Sequence, residues 1–91
     1  MNQSVEDTLQ ERGSRYGEFR THAVICQNIK RAMDVQVGNW NSLPAPHKQA
    51  LEVIADKIAR ILNGDYDYVD NWHDIQGYAK LVEDFIKQQG K

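Results

Sequence analysis

Apolar residues recur at intervals of three and four along almost the whole chain, the spacing of helices that bury one stripe. β-Branched runs are short and only two prolines occur, so little competes with an all-helical reading. Ser4-Val5-Glu6-Asp7 predicts an N-cap and an acidic first turn, opening a short helix that Gly13 stops. Arg12-Gly13-Ser14-Arg15-Tyr16-Gly17 then reads as a loop. A second helix is predicted over 18–37, with Ala23, Ile25, Cys26, Ile29 and Met33 on its apolar side, and Gly38-Asn39-Trp40-Asn41-Ser42 breaks it. Pro44 and Pro46 suit the first turn of a third helix that runs to Leu62, where Asn63-Gly64 is the stop. After a loop over 65–69, Asp70 is expected to cap a fourth helix that reaches Gln89.

On a helical wheel, the apolar residues of the third helix cover about 240° of its circumference, so several neighbours must cover it. Lys57 projects from inside that apolar sector, between Ala50 and Val53. On the fourth helix Ile75, Ala79, Val82 and Ile86 form one apolar line, widened by Tyr78, Leu81 and Phe85. Asp74 falls on the widened side. An ionised carboxylate there is costly unless a cation or a donor meets it, which makes Asp74 the most informative residue of the chain.

Ninety-one residues suit a single all-α domain over 1–91, a small bundle built on a long helical hairpin. A chain this short buries only about 60% of its unfolded surface, so the expected state is a homo-oligomer with a shared core. The net charge of −2 argues against general nucleic-acid binding. Cys26 is the only cysteine and cannot form an internal disulfide. With no signal-peptide pattern in the polar first ten residues and no long apolar run, the expected location is cytoplasmic, away from membranes.

The chemistry that the sequence offers is acidic. Glu52 and Asp56 lie four apart on the third helix, about 6 Å from each other on one face. Asp70 and Asp74 repeat the spacing at the start of the fourth. If the two helices are antiparallel neighbours, the four carboxylates make a candidate site for Mg²⁺ (or Mn²⁺), since hard oxygen donors select such ions. A metal there would anchor nucleotide phosphates and activate water, with Glu52 and Asp56 as the catalytic pair. Plainer roles stand beside these: Glu52 and Asp56 as a solvated stripe, Asp70 as an N-cap, and Asp74 as a helix-dipole residue. Lys57 and Arg60 are candidate phosphate contacts or, equally, salt-bridge partners of the acids. Arg15 and Tyr16 are candidates to bind phosphate and stack a base, His73 to carry a proton or touch substrate, and Trp72 to anchor packing. His22, His47 and Cys26 show no partner pattern and receive no role.

Three stretches carry a resemblance: Glu11-Arg12-Gly13-Ser14-Arg15-Tyr16-Gly17-Glu18-Phe19, residues 55–65 and residues 70–82. Together they resemble a family of small phage and prophage proteins of undefined function. That family is in turn distantly similar to the MazG-like all-α nucleoside triphosphate pyrophosphohydrolases, which hold Mg²⁺ on acidic pairs from two helices and release pyrophosphate. The resemblance implies that the first pair falls on Glu52 and Asp56 and the second on Asp70 and Asp74. Both pairs are four apart here, where the enzymes have three. The rival expectations are a non-catalytic phage accessory protein that binds a nucleotide or a host protein, and a purely structural oligomerisation module.

Overall fold

The computed structural model describes residues 4–91, and helices make up its regular structure: α1 Val5–Tyr16, α2 Phe19–Met33, α3 Ala45–Asn63 and α4 Val69–Gln88, with a short 3-10 turn at Trp40–Ser42. Residues Met1, Asn2 and Gln3, part of the polar start, lie outside the described residues. α3 is the central element, packed against α2 and α4 and touching α1. Three of its alanines, Ala50, Ala55 and Ala59, are fully buried, and their small side chains let the neighbouring helices approach closely. α3 and α4 form the expected hairpin: Lys57 meets Asp74 near the turn and His47 meets Phe85 far from it, the pattern of an antiparallel pair.

The ends of the helices follow local chemistry, with several departures from expectation. Ser4 is the N-cap of α1, its hydroxyl accepting from the Asp7 N–H at 3.0 Å. Gly13 does not stop that helix. It sits in the exposed interior of α1, where a missing side chain costs only about 1 kcal/mol. Arg15 and Tyr16, expected in a loop, belong to the last turn of α1, and the stop is Gly17, whose φ of +80° suits glycine. α2 ends at Met33 instead of continuing to residue 37; Val37 beyond it is 98% exposed, with no packing to extend the helix. Pro44 and Pro46 frame the first turn of α3 and Gly64 follows its last residue, as the sequence predicts. Tyr68, not Asp70, is the N-cap of α4, and Asp70 lies in the first turn, where the helix dipole still favours it.

The α1–α2 turn is pinned to the end of α3. The Asn63 side-chain amide donates to the carbonyls of Tyr16 and Glu18, at 2.7 and 2.9 Å, and the Asp65 N–H donates to the Arg15 carbonyl at 2.7 Å. A Cβ on Gly64 would collide with backbone atoms of Arg15 and Tyr16, so only glycine lets the two segments touch. On α4 the inward residues are Asn71, Ile75, Tyr78, Val82, Phe85 and Ile86. Ala79 and Leu81, predicted to share the apolar face, point to solvent, because the contact stripe follows 71, 75, 78 and 82. Trp72 is not a packing anchor: its ring is half-exposed, and its indole N–H donates to the Tyr66 carbonyl at 2.9 Å. No helix among the described residues is long and apolar enough to cross a membrane.

Candidate functional site

Three clusters form around the C-terminal half of α3 and take in most of the residues singled out by sequence, with Glu52 and His73 outside them. The first closes on Asp74. Lys57, whose side chain is nearly buried, places its Nζ 2.9 Å from Asp74 Oδ2. The cation that the apolar sector of α4 demands is therefore the one that the apolar sector of α3 supplies. The hydrogen bond from Lys57 holds Asp74 below the ordinary carboxylate range, against partial desolvation and helped by the charges of Lys57, His73 and Arg60.

The second cluster is aromatic and cationic. Arg60 lies 4.6 Å over the Tyr16 ring, Arg15 lies 4.4 Å over Tyr68, and the two rings meet edge to face at 6.1 Å. Arg15, Tyr16 and Arg60 are thus brought together, with Tyr68 as an unforeseen fourth member. The Tyr68 hydroxyl donates to Asp70 at 2.8 Å, which raises the phenol's pKa. Beside Tyr16 and Arg60 opens a cleft of about 570 Å³, lined by Leu9, Arg12, Phe19 and His22 among others. Its volume falls in the usual range for small-molecule sites. Phe19 stands at the rim, 80% exposed and loosely stacked on His22 with ring centroids 6.4 Å apart.

The third cluster forms on the α2 side of α3, and sequence reasoning missed it. The Cys26 thiol donates to Asp56 Oδ1 at 2.9 Å, His22 Nε2 lies 3.9 Å from the same oxygen, and Lys30 Nζ lies 3.6 Å from Oδ2. Burial pushes the Cys26 thiol up, and its hydrogen bond to Asp56 pushes it further, so it keeps its proton. Burial lowers His22, and the Arg60 charge adds to that more than Asp56 opposes it. His22 and Cys26 stand four apart on one helix, a spacing visible in the sequence. Asp56 comes from thirty residues further on, and only the packing of α2 against α3 reveals it.

Three of the four carboxylates expected to share a metal thus have separate partners: Asp56 faces α2, Asp74 faces Lys57, and Asp70 accepts from Tyr68. Glu52, half-buried on α3, forms no ion pair among the described residues. No three of these acids bring ligating oxygens within 4.8 Å of one another among the described residues. Mg²⁺ usually takes one or two carboxylates and completes its octahedron with water and phosphate oxygens, so an ion here would be held by fewer than the four acids that the spacing suggested. His73 is exposed on the outer face of α4, in a shallow depression with Gln76, Gly77 and Lys80, apart from the cleft. Against protein-family models, curated proteins and solved structures, the chain finds no match.

Proposed function

We propose that this chain binds a nucleotide in the cleft between α1, α2 and α3. The observation that carries the reading is the lining of that cleft, which includes Arg12, Arg60, Tyr16 and Phe19, with the Arg60 guanidinium over the Tyr16 ring. Arginine matches phosphate oxygens in fork geometry, and an exposed phenylalanine offers a free face to a base. Calorimetry with the common ribo- and deoxyribonucleotides tests it. At least one triphosphate should bind, and Phe19→Ala should weaken that binding by about 10–100-fold, the usual worth of one stacked base. Absence of heat and of competition at millimolar nucleotide would remove the reading.

A catalytic form of the same reading is Mg²⁺-dependent hydrolysis to a nucleoside monophosphate and pyrophosphate, as the resemblance implies. One observation favours it: Asp74 is held ionised and its side chain remains 42% exposed, within reach of an arriving cation. Lys57 would then have to give up Asp74. Pyrophosphate release with Mg²⁺ or Mn²⁺ is the measurement, and Glu52→Gln and Asp74→Asn should each remove it. Binding without product would leave the chain a nucleotide-sequestering protein.

We also propose that the working unit is a homo-oligomer, most simply a dimer. The chain exposes 6938 Å², whereas a folded monomer of its mass exposes about 5,400 Å². The excess of about 1,500 Å² is enough for a standard interface, which takes about 800 Å² from each partner. The radius of gyration, 15.6 Å, likewise exceeds the ~12 Å of a compact chain of this length.

A further inference from the structure

We infer that His22, Cys26 and Asp56 form a binding site for a thiophilic divalent ion, Zn²⁺ or its spectroscopic substitute Co²⁺. The site draws Asp56 away from the acidic pairs expected for Mg²⁺, and it does not rest on the nucleotide-binding reading. Among the described residues, this is the one group of three histidine, cysteine or acidic side chains whose ligating atoms all lie within 4.8 Å of one another. Ligand atoms around a tetrahedral zinc ion stand about 3.3–3.8 Å apart, given bonds of 2.0–2.3 Å. Cys26 Sγ and Asp56 Oδ1 are 2.9 Å apart, and His22 Nε2 and Asp56 Oδ1 are 3.9 Å apart. Both gaps bracket what the ion needs, and rotamer adjustments of a few tenths of an ångström close the difference.

The donor set argues for the ion's identity. A thiolate, an imidazole and a single carboxylate oxygen together select zinc over magnesium, which prefers oxygen alone. Lys30, 3.6 Å from Asp56 Oδ2, occupies the other carboxylate oxygen and leaves Oδ1 as the one-oxygen donor. Charge also balances. Zn²⁺ displaces the Cys26 proton to solvent, and the resulting thiolate and the Asp56 carboxylate cancel the dication, while Lys30 keeps its own charge. The three ligands sit on rigid elements: His22 and Cys26 one turn apart in α2, and Asp56 in the central helix α3. With three protein ligands, one tetrahedral position remains for water.

Titrating the untagged, reduced chain with Co²⁺ alone tests the assignment. The expected result is one ion per chain, an intense near-ultraviolet thiolate-to-cobalt absorption and visible bands of tetrahedral cobalt. Zn²⁺ should displace the ion and excess Mg²⁺ should not, and each equivalent bound should release about one proton. Cys26→Ser should abolish the ultraviolet band. His22→Gln and Asp56→Asn should each weaken binding by more than the roughly 10–100-fold typical of an outer-shell partner. His47→Gln, outside the cluster, should leave it unchanged. Circular dichroism establishes that each variant is folded, and should Cys26→Ser unfold, the His22 and Asp56 variants decide. A wild-type chain that shows no thiolate band overturns the site. So does a band that survives both His22→Gln and Asp56→Asn at full affinity, which would reduce it to a lone reactive thiol.

Discussion

The corner at the end of α3 and the outer faces of α2 and α4 are built to opposite rules. At the corner, backbone lies directly on backbone: Gly64 against Arg15 and Tyr16, with Asn63 donating to two carbonyls of the facing turn. On the outer faces, Val24 is 56% and Leu81 is 64% exposed. The corner uses a position that has room for glycine alone and an amide that reaches two carbonyls, so it specifies how the helices are ordered. The faces supply apolar bulk that stays exposed, and among the described residues the buried apolar ones are Cys26 and three alanines. Order is therefore encoded at the corner, while much of the apolar surface of the outer faces stays open to solvent.

The most severe way to break this contrast is at Gly64. Gly64→Ala forces a methyl group into the backbone of α1 and should cost about 3 kcal/mol, the upper range for overpacking a tight contact. Gly13→Ala is its counterpart. That position is open on all sides within 4 Å and lies inside α1, so the alanine should stabilise by about 0.5–1 kcal/mol. Urea unfolding of the two variants reads both signs. Equal responses would mean that the corner does not discriminate among side chains.

Asn63→Ala is the next largest. It leaves the carbonyls of Tyr16 and Glu18 without their shared donor, at a cost of about 1–2 kcal/mol for two modest hydrogen bonds. The loss should appear as a lower urea midpoint with an unchanged slope, because the helices themselves remain. An unaltered midpoint would show that water replaces the amide at no cost.

How much of this was legible in the sequence depends on the range of the interaction. The fold class, the hairpin and the caps at Ser4 and Gly64 follow from local spacing, and these the structure bears out. Lys57 and Asp74 each stand out as a charge in an apolar sector, yet their union needed the register of two helices. Gly13 misled because a glycine does not by itself end a helix; α1 continues through it and ends at Gly17, where φ is positive. The His22, Cys26 and Asp56 cluster was hidden because its two halves lie on different helices and neither half is informative alone. Asn71, 1% exposed with its Nδ2 unpartnered, carried no sequence signal at all.

On the outer faces the expected effect on a single chain is small and the effect on association is large. Val24→Ser with Leu81→Ser should change the stability of the dilute chain by no more than about 0.5 kcal/mol per site, as for other exposed positions. Light scattering at micromolar concentration should nonetheless report a lower mass than for the wild type. A wild-type chain that stays monomeric across a wide concentration range would mean that these faces tolerate water, and the contrast with the corner would lose its explanation.

The finest lever is His22, which sits between the two regions on the inward side of α2. Burial holds its pKa below the ordinary 6.5, and the Arg60 and Lys30 charges add to this, while Asp56 opposes it. In the unfolded chain the imidazole takes up a proton as the pH falls through 6.5, and in the folded chain it resists until lower pH. Protonation therefore favours the unfolded state, and His22 makes stability decline between about pH 7 and pH 5. Asp74 acts in a separate window. Its depressed carboxylate contributes stability above its ordinary value of 3.8, and that contribution is lost as the pH falls through the folded value. Urea midpoints followed from pH 7 to pH 5 should thus slope downward in the wild type and flatten in His22→Gln, with Asp74→Asn leaving that slope in place. The measurement is made with a chelator present, so that bound metal does not contribute to the slope. An identical slope in His22→Gln would mean that the imidazole titrates alike in both states, and that the packing of α2 on α3 leaves it as open to water as the outer faces are.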